Sequence, residues 1–312
     1  MPIHPVCPQL WGERAGMTDV QAFTSDERPL WRRIVDFPLI AMVIAVALFI
    51  LANGAAGLLG KLLPPMAPNA AAAIKGLMAV ALVLAVYKLV IVRLGQRPRD
   101  DLPIEAAPRG LTIGLLIGFL LFCAVVGIAA LFGVYDIVGR GDTRELIKDL
   151  IGMTVLAAFM EELLFRGILF RWIEEFGGSW AALVVTSALF GLAHIFNANA
   201  TWTSSLAIMV EAGMLLGGAY MLARNLWLPM GLHAAWNFTQ GFVFDVPVSG
   251  HDMHGLVQAK LSGPVLLSGG AFGLEASMIG VVLSIPLGAA MIALAARRGK
   301  LVPPYWRRNR PG

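Results

Sequence analysis

Charged side chains are scarce in this sequence. Asp, Glu, Lys and Arg together make up 14% of its 312 residues, whereas hydrophobic residues make up 58%. A soluble domain of this length would carry far more charge on its surface, so the composition excludes a soluble globular protein. The net charge of +4 does not indicate nucleic-acid binding, because the Lys and Arg residues fall at the ends of apolar runs. We expect an integral, multi-pass membrane protein.

Cysteine is nearly absent, with two residues in the whole chain. Cys7 lies in the polar N-terminal region, Cys123 lies within an apolar run, and no CxxC pair occurs. This usage excludes a disulfide framework and a thiolate metal site.

Eight apolar runs are long enough, or nearly so, to cross a bilayer, for which a helix needs about 20 residues. These runs cover residues 37–59, 69–94, 111–134, 147–176, 180–196, 204–223, 227–244 and 272–296. Gly177 and Gly178 separate the fourth run from the fifth. The predicted fold class is therefore all-α, a polytopic transmembrane helical bundle of about eight spans.

The distribution of Lys and Arg predicts the orientation of this bundle. Most of these residues lie on the cytoplasmic side if the N-terminus is cytoplasmic, as the positive-inside rule requires. Both termini are then cytoplasmic, and the number of spans is even. We expect a polar cytoplasmic tail at residues 1–35, the bundle at 36–300 and a basic cytoplasmic tail at 301–312, in a bacterial cytoplasmic membrane.

Two carboxylates and a guanidinium interrupt the fourth apolar run, in the stretch EELLFR. A charge at bilayer depth costs at least a few kcal/mol, so it rarely occurs there without a partner or a task. Glu162 and Arg166 are four residues apart and can pair on one helix face. Glu161 is rotated by about 100° from Glu162 and lacks such a partner.

Two further apolar runs carry polar groups that we expect at the same height. In a helical hairpin turning at 177–178, Glu161 and His194 each lie 16 residues from the turn, or about 24 Å at 1.5 Å per residue. His233 and Asn237, in HAAWN, share a helix face and enter from the same side. The four side chains should therefore converge, in the cytoplasmic half of the membrane.

These residue types permit two kinds of hydrolytic site. A Glu beside a His can activate a water as general base, and a second His with an Asn can donate hydrogen bonds to a developing oxyanion. Two His and one Glu are also the ligand set of a catalytic zinc site. The zinc motif HExxH is absent.

The three stretches EELLFR, FGLAH and HAAWN resemble the motifs EExxxR, FxxxH and HxxxN/D of the CPBP intramembrane proteases, which include the CAAX-prenyl-protease-type and bacteriocin-processing enzymes. The motifs occur in the order of the family and on separate apolar helices, and the resemblance covers residues 147–244. It implies a protease core over this segment, in which Glu162 and Arg166 form an ion pair that supports the site.

The resemblance also implies the roles of the catalytic residues. Glu161 would activate the water with His194 as its partner, and His233 and Asn237 would hold the water or the oxyanion. The family is commonly labelled metallopeptidase, so zinc bound by Glu161, His194 and His233 and a metal-free, glutamate-dependent mechanism both stay open. The partners implied are the lipid bilayer and a peptide or protein substrate, either lipidated or a leader peptide.

A second class of function uses the same buried groups. A proton-coupled transporter or an immunity-type binding protein could employ the Glu and His cluster without hydrolysis. Asp136 and Asp142 echo aspartyl-protease signatures, but they lie six residues apart in one expected loop. The stretch HDMH at 251–254 is interpreted as a solvated loop, and Glu211, in the sixth run, as a residue that could flank the cavity.

Overall fold

The computed structural model describes residues 28–144, 146 and 150–308, without the side chain of Met153. Most of the predicted N-terminal tail with Cys7, the start of the fourth run and the end of the basic tail lie outside these residues. The helices are α1 (Leu30–Val35), α2 (Pro38–Leu59), α3 (Pro68–Leu89), α4 (Ala107–Leu131), α5 (Ala157–Glu162), α6 (Arg171–Ala193), α7 (Trp202–Ala223), α8 (Trp227–Phe238), α9 (Val265–Ser268), α10 (Met278–Arg297) and α11 (Tyr305–Arg308). The predicted all-α polytopic bundle is confirmed.

Six helical segments of the described chain are long and apolar enough to cross a membrane, judged by length and composition. One of them, Leu150–Phe196, is 47 residues long. It is interrupted at Gly178, whose backbone is non-helical (φ 84°, ψ 170°). The hairpin turn expected between the fourth and fifth runs therefore lies where the sequence placed it. The count of eight spans and the side of each terminus stay predictions.

Local sequence signals mark the N-termini of several helices. α3 starts at Pro68, because the missing N–H of proline costs nothing in a first turn. At the start of α7, Thr201 Oγ1 accepts a hydrogen bond from Ser204 N at 3.0 Å. Ser277 Oγ accepts one from Gly280 N at 3.1 Å and caps α10. These caps satisfy backbone donors that have no partner within the helix.

The eighth run differs from its prediction. The helix α10 begins at Met278, six residues after the expected start at residue 272. Gly273 has a φ of 116°, which a right-handed helix cannot accommodate. Residues Gly270–Phe272 and Leu274–Ala276 form short 3₁₀ turns instead. The segment before α10 is therefore a loop that folds against the bundle.

A two-stranded antiparallel sheet was not predicted. Its strands are β1 (Tyr135–Arg140) and β2 (Val257–Leu261), with Tyr135 opposite Leu261 and a register shift between Ile137 and Gly139. This sheet lies in the connections that the sequence places on the side opposite the termini. Asp136 is in β1, and its expected place in a connection rather than a spanning helix is confirmed.

Close packing of α4 on α8 positions one wall of the site. A Cβ at Gly118 of α4 would lie 2.3 Å from the carbonyl oxygen of Leu232, and one at Gly114 would lie 2.4 Å from that of Leu228. Both distances are far below any van der Waals contact, so only glycine allows this approach. Because Leu232 precedes His233, the glycines of α4 set the position of that imidazole.

An ionic network closes the end of the bundle at the hairpin turn. Arg224 Nη2 lies 2.5 Å from Glu174 Oε2, and Arg99 Nη2 lies 2.6 Å from Asp101 Oδ1. Arg171 Nη1 donates to the carbonyl oxygen of Arg99 at 2.9 Å. These contacts join the connection after α3 to α6 and α7, the two helices that lead to and from the site.

Candidate active site

The helix that carries the two adjacent carboxylates is irregular on both sides of them. Residues Leu150–Leu156 and Leu163–Phe170 are π-helical, and the α-helical turns of α5 lie between them. π-Helical stretches are frequent at functional sites, because they turn side chains away from the face that a regular α-helix would give them. Glu161 and Glu162 are the last two residues of the α-helical part.

The predicted ion pair between Glu162 and Arg166 is present. Arg166 Nη1 lies 2.7 Å from Glu162 Oε1, and the two side chains are 1% and 0% exposed. The guanidinium also donates to the carbonyl oxygen of Ala212 at 3.3 Å. A buried charge is costly unless it is paired and hydrogen-bonded, and each of these two charges meets that condition through the other.

The same carboxylate orients a histidine from another helix. Glu162 Oε1 lies 2.9 Å from His233 Nδ1, so it accepts from both Arg166 and His233 when Nδ1 carries the proton. The other ring nitrogen, His233 Nε2, lies 3.9 Å from Glu161 Oε2. That Glu161 oxygen is buried and has no hydrogen-bond partner. The pair of Glu161 and His233 thus flanks a position where a small polar molecule can bind.

His194 directs one nitrogen at its own helix. It follows the last residue of α6, and its Nδ1 lies 2.7 Å from the carbonyl oxygen of Phe190. No pair within 4.0 Å joins His194 to Glu161 among the described residues. The role of His194 as the partner of Glu161 stays a prediction, and the contact that the structure shows for Glu161 is with His233.

Phe190, the first residue of FGLAH, links the parts of the site. Its ring lies 4.6 Å from the guanidinium carbon of Arg166 and 4.6 Å from the ring of His194, measured to ring centroids. Phe165 packs edge-on against it at 4.9 Å. The aromatic ring therefore contacts both the buried cation and the imidazole.

A cavity of about 30 Å³ lies beside these groups. His194, His233 and Asn237 line it, together with apolar side chains of α7 and α8. A space of this size holds on the order of one water molecule. Three of the four predicted catalytic residues thus share one cavity, and the Oε2 of the fourth, Glu161, lies 3.9 Å from His233 Nε2.

Two more carboxylates line the cavity. Glu211 of α7, which the sequence marked as a flanking residue, accepts a hydrogen bond from Ser284 Oγ at 3.1 Å. Glu275 was missed, because it lay inside a run interpreted as a span. Its carboxylate accepts the backbone N–H of Ser249, and burial raises its pKa to about 7. The sequence did contain a signal for Glu275, the same one that identified Glu161: a carboxylate inside an apolar run.

The side chains as placed do not fit a metal ion. Within the described part of the chain, no three His, Cys, Asp or Glu side chains come close enough to hold one, and this includes His251, Asp252 and His254. Zinc bonds of about 2.0–2.2 Å would require ligand atoms about 3.3 Å apart. Glu161 and His233 are 3.9 Å apart. We therefore assign no step of the reaction to a metal.

Comparison with known families agrees with the motifs. Residues 143–239, about a third of the chain, match the family model described as Type II CAAX prenyl endopeptidase Rce1-like. The match contains Glu161, Glu162, Arg166, His194, His233 and Asn237. It confirms the resemblance to the CPBP intramembrane proteases and supports an enzyme of the protease class. No curated protein and no solved structure matches the chain significantly.

Proposed function

We propose that this chain is an intramembrane endopeptidase in which Glu161 activates the attacking water. The observation that supports this most directly is the geometry of Glu161. Its side chain is 33% exposed, but its Oε2 is buried without a partner and faces His233 Nε2 at 3.9 Å. Polar atoms separated by more than 3.5 Å are commonly bridged by a water. A carboxylate in contact with that water is placed to accept its proton.

The division of labour between the two carboxylates follows from their partners. Glu162 is fully buried, and its Oε1 already accepts from Arg166 and His233. It is therefore a positioning residue that holds the ring of His233 with Nε2 toward the water. Glu161 Oε2 carries no such bond, which leaves its lone pairs for the proton.

The opposite wall of the cavity would bind the peptide carbonyl. The amide of Asn237 supplies N–H donors, and Asn237 and His194 line the same small cavity. Donors fixed before the reaction stabilise the negative charge of a tetrahedral intermediate. We propose Asn237 as the oxyanion donor, His233 Nε2 as an acceptor that holds the water beside Glu161, and His194 as a second contact of the water or the carbonyl.

The substrate would be a peptide that reaches the site through the bilayer. The match to a CAAX endopeptidase family favours a membrane-associated substrate, either lipidated near its C-terminus or a leader peptide. We propose a bacterial cytoplasmic membrane as the location, because the basic residues concentrate at one side of the predicted spans.

The test is cleavage by purified protein in detergent. A panel of fluorogenic peptides should include a farnesylated C-terminal peptide, its unmodified counterpart and a transmembrane peptide. We expect the wild type to cleave at least one of them and Glu161→Gln to bind it without cleavage. Glu105→Gln, which changes an exposed carboxylate in the connection before α4, is the matched control. A wild type that cleaves none of them and moves protons in sealed vesicles would establish the transporter alternative instead.

A further inference from the structure

Glu275 is a cavity residue that the proposed mechanism leaves unused. It lies in the turn Leu274–Ala276, outside the helical candidate spans, and is 4% exposed. Its carboxylate lines the same cavity as His194, His233 and Asn237. Glu275 and these three residues therefore border one common space.

The loop that carries Glu275 is held against the bundle. Ser249 N–H donates to Glu275 Oε1, and Asn197 Nδ2 donates to the carbonyl oxygen of Ser249 at 3.2 Å. The amide of Gly250 donates to the carbonyl oxygen of Phe272 at 2.9 Å. The Ser249 N–H thus fixes one oxygen of the carboxyl, Oε1, and ties the loop to the connection after α8.

The surroundings of Glu275 favour a protonated carboxyl. The titratable groups that face it are Glu211 from α7, Glu161 from α5, His233 from α8 and His194 at the end of α6. No Lys or Arg of the described chain lies within ion-pair distance of its carboxylate. Burial and the charge of neighbouring carboxylates disfavour ionisation, and burial is the larger cause of its raised pKa of about 7.

We propose that Glu275 is a catalytic residue, the general acid that protonates the departing amine. This rests on the proposed function. Glu161 takes one proton from water, and the hydroxide oxygen bonds to the carbonyl carbon. The C–N bond then breaks as the Glu275 carboxyl gives its proton to the nitrogen. The proton on Glu161 passes to Glu275 through water in the cavity, so the net reaction adds one water.

The geometry favours separate groups for the two proton transfers, Glu161 for the water and Glu275 for the departing amine. Glu161 is not among the residues that line the cavity, and its Oε2 lies 3.9 Å from His233 Nε2, whereas Glu275 is one of the lining residues. A substrate carbonyl bound to Asn237 would place its nitrogen in the cavity. Glu275 would then contact that nitrogen from the loop side, while Glu161 contacts the water from the helix side.

The test compares a peptide with its ester analogue, in which oxygen replaces the scissile nitrogen. The alkoxide of an ester leaves readily without protonation, so cleavage of the ester needs no general acid. We expect Glu275→Gln to lower kcat for the peptide by about 10²-fold, with little change in KM, and to lose the fall in kcat above pH 7. The same variant should cleave the ester at close to the wild-type rate.

Two further variants separate this proposal from its alternatives. Glu211→Gln, which neutralises the other carboxylate of the cavity wall, should keep the fall in rate above pH 7. Glu161→Gln should lose cleavage of both peptide and ester. If Glu275→Gln slows both substrates equally, or neither, Glu275 is not the acid, although the protease function stands. If the wild type cleaves neither substrate, the proposed function itself fails.

Discussion

Glu162 and His233 are joined at 2.9 Å, between Oε1 and Nδ1, although they lie 71 residues apart in the chain. The bond fixes the imidazole so that its second nitrogen faces Glu161. A histidine whose Nδ1 is held by a carboxylate has a defined orientation and a more basic Nε2. One carboxylate of the adjacent pair therefore supports the ring, and the other is free to act on a water.

Substitution of the two adjacent glutamates should separate catalysis from stability. Glu161→Gln should reduce cleavage by at least 10²-fold and leave the thermal unfolding midpoint nearly unchanged, because Glu161 is partly exposed and its Oε2 has no hydrogen-bond partner. Glu162→Gln should destabilise the protein by about 3–5 kcal/mol, because it leaves Arg166 as an uncompensated buried charge. Thermal unfolding in detergent and peptide cleavage measure the two effects. Equal loss of activity without loss of stability in Glu162→Gln would contradict this division.

The stability lost on removing the Arg166 cation should be partly restored when its partner Glu162 is neutralised as well. Arg166→Met leaves Glu162 buried without its charge partner and should cost about 3–5 kcal/mol of unfolding free energy. In the double variant Glu162→Gln, Arg166→Met no buried charge stays unpaired. We expect it to be more stable than either single variant, and a double-mutant cycle measures the difference. Additive losses would show that the two side chains act independently.

Much of this arrangement could be predicted from the sequence. The lengths of the apolar runs give the helices, the four-residue spacing gives the Glu162–Arg166 pair, and the hairpin breaks at Gly178 as expected. These features depend on helix periodicity and on the cost of charge in an apolar environment, both of which are local.

The features that were missed depend on tertiary contacts. The orientation of a ring cannot be derived from spacing, so the contact of His194 Nδ1 with the carbonyl oxygen of Phe190 could not be predicted. The π-helical stretches leave no clear sequence pattern. Glu275 was assigned to a helix because the surrounding residues are apolar, although Gly273 prevents a helix there.

Helix contact through Gly118 should control activity without any change in the polar groups. Gly118→Ala places a methyl group 2.3 Å from the carbonyl oxygen of Leu232. The methyl group should push α4 away from α8 and lower the unfolding midpoint. It should also reduce kcat, because the shift displaces His233. Gly127→Ala is the matched control on the same helix, because a Cβ there meets nothing within 4 Å. Alanine also favours a helix by up to about 1 kcal/mol over glycine. Similar losses in both variants would rule out the contact as the cause.

Removal of metal should leave the activity intact. The predicted ligands Glu161, His194 and His233 do not form a site that could hold a metal ion as placed. We therefore expect less than stoichiometric zinc in the purified protein, measured by elemental analysis, and full cleavage in the presence of a chelator. His194→Ala should not change the metal content. Loss of activity with chelator, restored by added zinc, would show that the site rearranges around a metal.

The buried carboxyl of Glu275 should make stability depend on pH. Its pKa is about 7 in the folded protein and is ordinarily 4.5, so the folded state retains a proton that the unfolded state loses between these values. The free energy of unfolding contributed by this group therefore falls as pH rises from about 4.5 to 7 and is constant above. Glu275→Gln is neutral at every pH and can still accept the N–H of Ser249. Its unfolding midpoint should equal that of the wild type below about pH 4.5, exceed it increasingly from there to about pH 7, and exceed it by a constant amount above. The same difference at every pH would mean that Glu275 does not titrate in this range, because a group without a shifted pKa cannot couple folding to proton binding.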